Sequence, residues 1–250
     1  SMPSLMVFFF FFALYSSSTL LPMMVQSNFG YDATLAGMVL SPSGLVVICI
    51  MPIIGKLVNK VQAKYLISTG MFLMAFGMWA TAQITPQSDY WTLVQVRILQ
   101  VIGLPFLFVP SSTLAFSKIK AVDSSNASAI VALMRNLGGS IGIAIVTNKL
   151  IQSQQVEQNN IVQHLTNFDI GYNNALYNMT NTIKNLGFSE TQASQMALGK
   201  IYRELMHQAS LLAYADAYEF VATIMILLGI VALFMPKNEL HGKKKTVVIE

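Results

Sequence analysis

Six long apolar segments alternate with short polar connections along the chain. They cover residues 4–26, 35–58, 65–82, 91–116, 127–151 and 211–235. Each is close to the length of about 20 residues that a helix needs to cross the hydrocarbon core of a bilayer. The pattern therefore predicts an all-α membrane protein, built as a bundle of six transmembrane helices.

Prolines that could kink a helix lie in three of these apolar runs. A proline removes one backbone hydrogen bond and kinks a helix, and membrane helices tolerate this where neighbouring groups satisfy the freed carbonyl. Repeated kinks suit a moving transporter, but they also occur in static bundles. The prolines concerned are Pro22, Pro42, Pro52, Pro105 and Pro110.

The composition supports the membrane assignment. The chain has 250 residues, of which 54% are hydrophobic and 10% charged, whereas soluble domains carry about 25% charged residues. Residues 1–31 contain no charge and lack the basic region and cleavage site of a signal peptide, so we interpret this stretch as a span. With no soluble segment before it, we expect the chain to begin partway into a larger protein.

Several classes of chemistry find no support in the sequence. Cys49 is the single cysteine, which excludes an intramolecular disulfide and a thiolate metal cluster. His164, His207 and His241 lie outside the predicted spans, and no glycine-rich phosphate loop is present. We therefore expect no catalytic residues, no metal, no cofactor and no nucleic-acid partner.

The distribution of lysines predicts the orientation. Short cytoplasmic loops of membrane proteins are enriched in lysine and arginine, and loops 27–34 and 84–90 contain neither. Six spans then start and end in the cytoplasm, and residues 237–250 form a basic cytoplasmic tail. The lysines on the predicted cytoplasmic side are Lys56, Lys60, Lys64, Lys118, Lys120, Lys237, Lys243, Lys244 and Lys245.

The chain is predicted to hold five spans in residues 1–151 and the sixth in residues 208–236. Between them, residues 152–207 form a polar extracytoplasmic segment rich in Asn and Gln. Ser189 and Gln192 have the spacing of a capping box and predict an amphipathic helix that leads almost directly into the sixth span. The segment is either a solvated loop on the membrane face or a docking surface or lid.

Arg135 is the only charged residue between Ser124 and Asn148. An arginine at the centre of a membrane helix costs about 2.5–3.5 kcal/mol on insertion scales, and such residues usually face a bundle interior or a watery cavity. Arg135 either contacts cavity water, substrate or an acidic partner, or bonds carbonyls or a buried acid inside the bundle. The glycines that follow it are predicted to serve helix packing; they are Gly138, Gly139 and Gly142.

Three further charged residues are candidates for substrate binding or coupling. Arg97 lies about two turns inside the fourth span, where it lines a cavity or pairs with an acid. Asp216 and Glu219 lie near the start of the sixth span, on the same outer side of the membrane as Arg97. They are the acids within the predicted spans that could pair with Arg97 or titrate during coupling. Both acids are shallow in the membrane, and Asp216 also fits a purely structural position near the interface.

Together, several stretches resemble the C-terminal half of a major facilitator superfamily transporter, and more narrowly the fourteen-helix drug:proton antiporters of the EmrB/QacA type. One is Gly30 to Gly37, which resembles the first outer loop of this half. Arg97, Gln100 and Gly103 are similar to the R-x-x-Q-x-x-G helix, and residues 135–142 to the R-x-x-G-G-x-x-G helix. A cytoplasmic loop motif is matched by Gly55, Leu57, Asn59, Lys60 and Lys64, with Asn59 in place of the usual acid.

The resemblance implies two six-helix bundles around a central cavity, of which this chain supplies one. It implies proton-coupled efflux of small amphipathic drugs by alternating access, in the plasma membrane of a bacterium. The partners implied are the bilayer, the missing N-terminal half and a periplasmic adaptor protein. The alternative function is that of a non-transporting membrane scaffold or assembly subunit.

Overall fold

The computed structural model describes residues 2–117, 124–164 and 170–234. All the regular elements in these ranges are α-helices. Six of the described helical stretches are long and apolar enough to cross a membrane, as the hydrophobic pattern predicts. The helices are α1 (Met2–Phe29), α2 (Ala33–Leu57), α3 (Ala63–Ala82), α4 (Tyr90–Ile102), α5 (Leu104–Ser117), α6 (Ser124–His164), α7 (Ile170–Lys184) and α8 (Glu190–Leu233).

The fourth predicted span is one apolar run but two helices. A turn at Gly103 separates α4 from α5. Pro105 lies just beyond this turn. It has no N–H for a helical bond, and its ring would clash with the carbonyl four residues earlier. The sequence places a kink near Pro105 within this run, and in the structure the interruption is the turn at Gly103.

The last two spans are parts of much longer helices than their apolar segments. α6 has 41 residues and α8 has 44, so each is about 60 Å long, twice the thickness of a hydrocarbon core. The start of α8 has the capping box predicted from Ser189 and Gln192. Most of residues 152–207 is therefore helical, and the parts in α6 and α8 are continuous with the spans, because Gln, Glu and Lys extend a helix about as well as Leu does.

The bundle core is formed mainly by α1, α3 and α8. Their buried side chains are mostly medium-sized and apolar, and the fully buried Tyr218 is the largest of them. By contrast, only 17% and 22% of the residues in the most apolar windows of α2 and α6 are buried, against 50–56% for α1, α3 and the α4–α5 span. Two of the six spans thus present broad apolar faces to their surroundings.

Close helix packing positions α4 against α3. A Cβ atom at Gly77 of α3 would lie 2.5 Å from the backbone nitrogen of Gln100, and one at Gly103 would collide with the carbonyl of Gly70. Small residues let membrane helices approach in this way. The approach brings the polar side chains of α4 within reach of α3 and α1.

Some of the sequence expectations lie outside the described residues. These include Lys118 and Lys120, and the basic tail over residues 237–250. The predicted end of the sixth span at Met235 is also outside. The orientation of the chain in the membrane remains a prediction.

Candidate functional site

Asp89 fixes the beginning of α4, the helix that carries Arg97. Its carboxylate accepts hydrogen bonds from the backbone nitrogen of Thr92, at 3.0 Å, and from the Thr92 hydroxyl. This is an N-cap, which satisfies one of the free amides of the first turn. The same bonds lower the pKa of Asp89, with the hydroxyl as the largest cause.

Arg97 is buried in the bundle and is held by neutral oxygen atoms. Its Nη1 donates to the Ser17 hydroxyl at 2.9 Å and to Oε1 of Gln100 at 3.1 Å, and its Nη2 donates to the Ser18 hydroxyl at 3.0 Å. Only 7% of the residue's surface is exposed. The guanidinium therefore links α4 to the middle of α1.

Gln100 extends the cluster to α3. Its Nε2 donates to the Thr81 hydroxyl at 2.7 Å, and Thr81 in turn donates to the carbonyl of Gly77 at 2.7 Å. The Ser17 hydroxyl donates to Oε1 of Gln100 at 3.3 Å. One connected network, the Arg97 cluster (Ser17, Ser18, Thr81, Arg97 and Gln100), thus joins three helices inside the membrane region.

The Arg97 cluster contains no acid. Among the described residues, no carboxylate lies within 4.0 Å of the Arg97 guanidinium, so pairing with Asp216 or Glu219 does not occur in this structure. Asp216 is half-buried on α8, and Glu219 is exposed. Because a buried charge is costly unless it is hydrogen-bonded, the hydroxyls and the amide take the place of a counter-ion.

Two polar atoms of this region have no partner among the described residues. One is Nε of Arg97, and the other is the hydroxyl of Tyr218, which α8 places beside Gln100. Tyr218 and the serines were not singled out from the sequence. Three consecutive serines (Ser16 to Ser18) in the middle of an apolar span were the available signal, since isolated hydroxyls there need partners.

Arg135 has the opposite surroundings. It lies on the exposed side of α6, and its guanidinium carbon is 5.9 Å from the centre of the Phe11 ring. No carboxylate within the described ranges pairs with it. A neighbouring groove of about 260 Å3 between α1 and α6 is lined by Tyr15, Asn136, Gly139, Ser140 and Ile143.

The three glycines after Arg135 lie where α6 crosses α1. A Cβ atom at Gly138 would collide with the carbonyl of Phe8, and one at Gly142 would lie 2.6 Å from the carbonyl oxygen of Phe12. At Gly139 the nearest obstacle is the ring of Tyr15, at 2.6 Å. Only glycine permits this separation between the two helices without a shift.

The residues of the predicted cytoplasmic loop motif are spread over the turn between α2 and α3. Gly55 and Leu57 belong to the last turns of α2, and Asn59 and Lys60 are exposed in the turn. Lys64 lies in the first turn of α3, where its Nζ donates to the carbonyl of Leu233 at 3.4 Å. A cation near the last carbonyls of a helix is favourable, so Lys64 contacts the end of α8.

Three relatives illustrate what the chain is similar to. It is 26% identical to "Colistin resistance protein EmrB" of Acinetobacter baumannii over 96% of the chain and 46% of that protein. It is 25% identical to "Multidrug export protein EmrB" of Escherichia coli K12 over 89% of the chain and 42% of that protein. It is 22% identical to "Fatty acid resistance protein FarB" of Neisseria gonorrhoeae over 90% of the chain and 42% of that protein.

The chain spans less than half the length of these curated relatives. The family model described as "Major Facilitator Superfamily" matches residues 2–146, which is more than half of the chain and includes α1 to α5 and the Arg135 region of α6. With its six apolar helices, the protein is an integral membrane protein. The chain belongs to the Major Facilitator Superfamily.

Proposed function

We propose that this chain forms one of the two bundles of a proton-coupled multidrug exporter that works by alternating access. Relatives of about twice its length are named for multidrug export or for resistance to colistin and fatty acids. Those names favour export over the alternative of a non-transporting scaffold. Alternating access requires two bundles that rock about a shared central site, so transport requires the preceding half.

The exposed position of Arg135 is the observation that carries this proposal. It lies on α6, among exposed apolar side chains such as Leu133, Leu137 and Ile141. Lipid does not tolerate an arginine at this depth, whereas a watery cavity or an acid on another helix does. We infer that the exposed faces of α2 and α6 meet the other bundle, and that Arg135 faces the cavity or an acidic group there.

The helices outside the bundle suit a partner protein. α7 packs on the start of α8 through Ile183, Ala193 and Ala197, while Leu186 and Phe188 remain exposed. We propose that a periplasmic adaptor protein contacts this region. This placement requires the predicted orientation, with the C-terminus in the cytoplasm of a bacterium and the protein in its plasma membrane.

The test uses the chain expressed alone and together with the preceding half. We expect proton-dependent efflux of ethidium only from the paired protein. Arg135→Ala should leave the paired protein folded and abolish efflux, because it removes the positive charge from the proposed interface between the two bundles. Arg203→Ala, on the exposed part of α8 outside the apolar segment, is the matched control and should export normally.

Three results would contradict the proposal or its site assignment. Efflux from the chain alone would show that a second bundle is not required. Normal efflux by the folded Arg135→Ala protein would remove the cavity role of this residue. Loss of folded protein in Arg135→Ala, with Arg203→Ala intact, would instead assign Arg135 to structure and sink the site assignment.

A further inference from the structure

A groove of about 440 Å3 lies between α3 and α8, within the spanning part of both helices. Its walls are apolar and aromatic, with Phe72, Phe76 and Trp79 from α3 and Ile226 from α8. The single ionisable side chain on its lining is Glu219. The volume is within the range of about 300–1,000 Å3 that small-molecule sites occupy.

Glu219 is an unpaired carboxylate in an apolar setting. It is exposed, and no cationic side chain among the described residues lies within 4.0 Å of it. The Thr223 hydroxyl donates to the backbone carbonyl of Glu219, at 2.8 Å, and not to its carboxylate. Because a charge within a span is expensive unless it is paired, this position favours a cation from outside the protein.

The aromatic wall is shaped for the apolar part of such a cation. The rings of Phe76 and Trp79 are 6.0 Å apart and inclined by 31°, and these residues are 53% and 51% exposed. Their open ring faces attract cations and stack on aromatic groups. Trp79 is one turn from the end of α3, at the depth where tryptophan meets the membrane interface.

The groove is held in shape by the packing of its two helices. The Ser68 hydroxyl of α3 donates to the carbonyl of Gly229 on α8, at 2.8 Å. A Cβ atom at Gly229 would lie 3.1 Å from the ring of Phe72, so that ring lies directly on the α8 backbone. The site therefore requires little ordering when a ligand binds, which favours affinity.

We propose that this groove binds a lipophilic aromatic cation at the membrane interface, with Glu219 as its counter-ion and Phe76 and Trp79 as its stacking surface. The site is separate from the faces of α2 and α6 that we assign to the other bundle. An amine-bearing phospholipid fits less well, because its phosphate would approach the carboxylate of Glu219 together with the amine. An aromatic cation carries only the complementary charge.

Binding can be measured through Trp79. The chain has two tryptophans, so Trp91→Phe leaves Trp79 as the only indole. In phosphatidylcholine nanodiscs, ethidium should quench Trp79 fluorescence saturably. Glu219→Gln in this background should weaken binding about tenfold, the ratio expected for the loss of one partly desolvated charge pair. Phe76→Ala should also weaken it, and Glu204→Gln, on α8 outside the groove lining, should not.

Three outcomes would overturn the proposal. They are quenching that does not saturate, equal affinities of Glu219→Gln and Glu204→Gln, and displacement of ethidium by phosphatidylethanolamine, which would assign the groove to a lipid headgroup. Glu219 is exposed and the substitution preserves its shape, and circular dichroism would verify the fold. This experiment measures binding and not transport, so its result does not depend on the exporter proposal. Arg135 is not part of the groove lining, and Arg135→Ala should therefore bind ethidium with normal affinity.

Discussion

Arg97 and Arg135 are both single arginines in apolar membrane helices, yet the bundle treats them in opposite ways. Arg97 is buried and forms three hydrogen bonds with neutral partners on α1 and α4. Arg135 is exposed on α6 and is near one aromatic ring. The same residue type is therefore hydrogen-bonded inside the bundle at one position and exposed on its surface at the other.

The difference shows how a membrane bundle can carry an internal charge without an acid. Hydroxyl groups and an amide provide acceptors at 2.9–3.1 Å for Arg97, and hydrogen bonds to a charged donor are stronger than neutral ones. Such a cluster can be complete within one bundle. Arg135 has no such set of acceptors among the described residues, and under our proposal the other bundle or cavity water supplies them.

Replacing each arginine in turn gives the largest expected effect. Arg97→Met should lower the free energy of unfolding by about 3 kcal/mol, since it leaves Ser17, Ser18 and Gln100 without their charged donor. Arg135→Met should lower it by less than about 1 kcal/mol, because the exposed guanidinium has only a ring contact. Thermal unfolding in detergent, followed by tryptophan fluorescence, measures both. Equal losses would refute the distinction between the two sites.

A second expectation concerns the α1–α6 contact beside Arg135. Gly138→Ala should cost about 1–3 kcal/mol, because the added methyl group meets the backbone carbonyl of Phe8. Gly139→Ala should cost less, since the ring of Tyr15 can move. Gly37→Ala is the control, because nothing lies within 4 Å of a Cβ atom there. The ranking of the three melting temperatures tests the contact, and a Gly138→Ala protein as stable as Gly37→Ala would argue against it.

The smallest effect is expected at Asp89, which begins the helix that carries Arg97. Its folded pKa lies below the ordinary value, so its contribution to stability is present above the unfolded pKa and is lost as pH falls through the folded pKa. Asp89→Asn keeps a capping oxygen that does not titrate. The stability difference between the two proteins should therefore change between about pH 5 and pH 2, and be constant between about pH 6 and pH 8. If the stability difference between the wild-type and Asp89→Asn proteins is also constant between about pH 5 and pH 2, the Asp89 carboxylate does not stabilise the start of α4 through its charge.

Much of the fold follows from the sequence, because apolar runs of spanning length determine where helices must form. The six spans were predictable, and so was the cap at Ser189. Pro105 indicated a kink in the fourth span, but not that the span is divided into two helices at Gly103, because the effect of a proline on a helix depends on the neighbours that satisfy the freed carbonyl. The extension of α6 to His164 was also missed, because a polar sequence says little about where a helix ends.

The candidate site was predictable only in part. Arg97 stood out as a charge in an apolar run, and its partner Gln100 is three residues further along the same helix. Its other two partners, Ser17 and Ser18, are 80 and 79 residues away, and Thr81, which bonds Gln100, is 19 residues from it. No local pattern connects positions so far apart. The sequence suggested Asp216 and Glu219 as partners because they are acids near the right depth, whereas the side chains of α1 and α3 that bond Arg97 and Gln100 are hydroxyls.

The order of the Arg97 cluster along the chain has a consequence for biosynthesis. Ser17, Ser18 and Thr81 precede Arg97, and Gln100 follows by a single helical turn. Chains are made from the N-terminus, and early segments can pack while later ones are still being synthesised. When α4 enters the bilayer, the acceptors for its guanidinium are therefore already there, before α6 and α8 exist. The Arg97 guanidinium therefore has its hydroxyl partners available from the time its helix enters the bilayer.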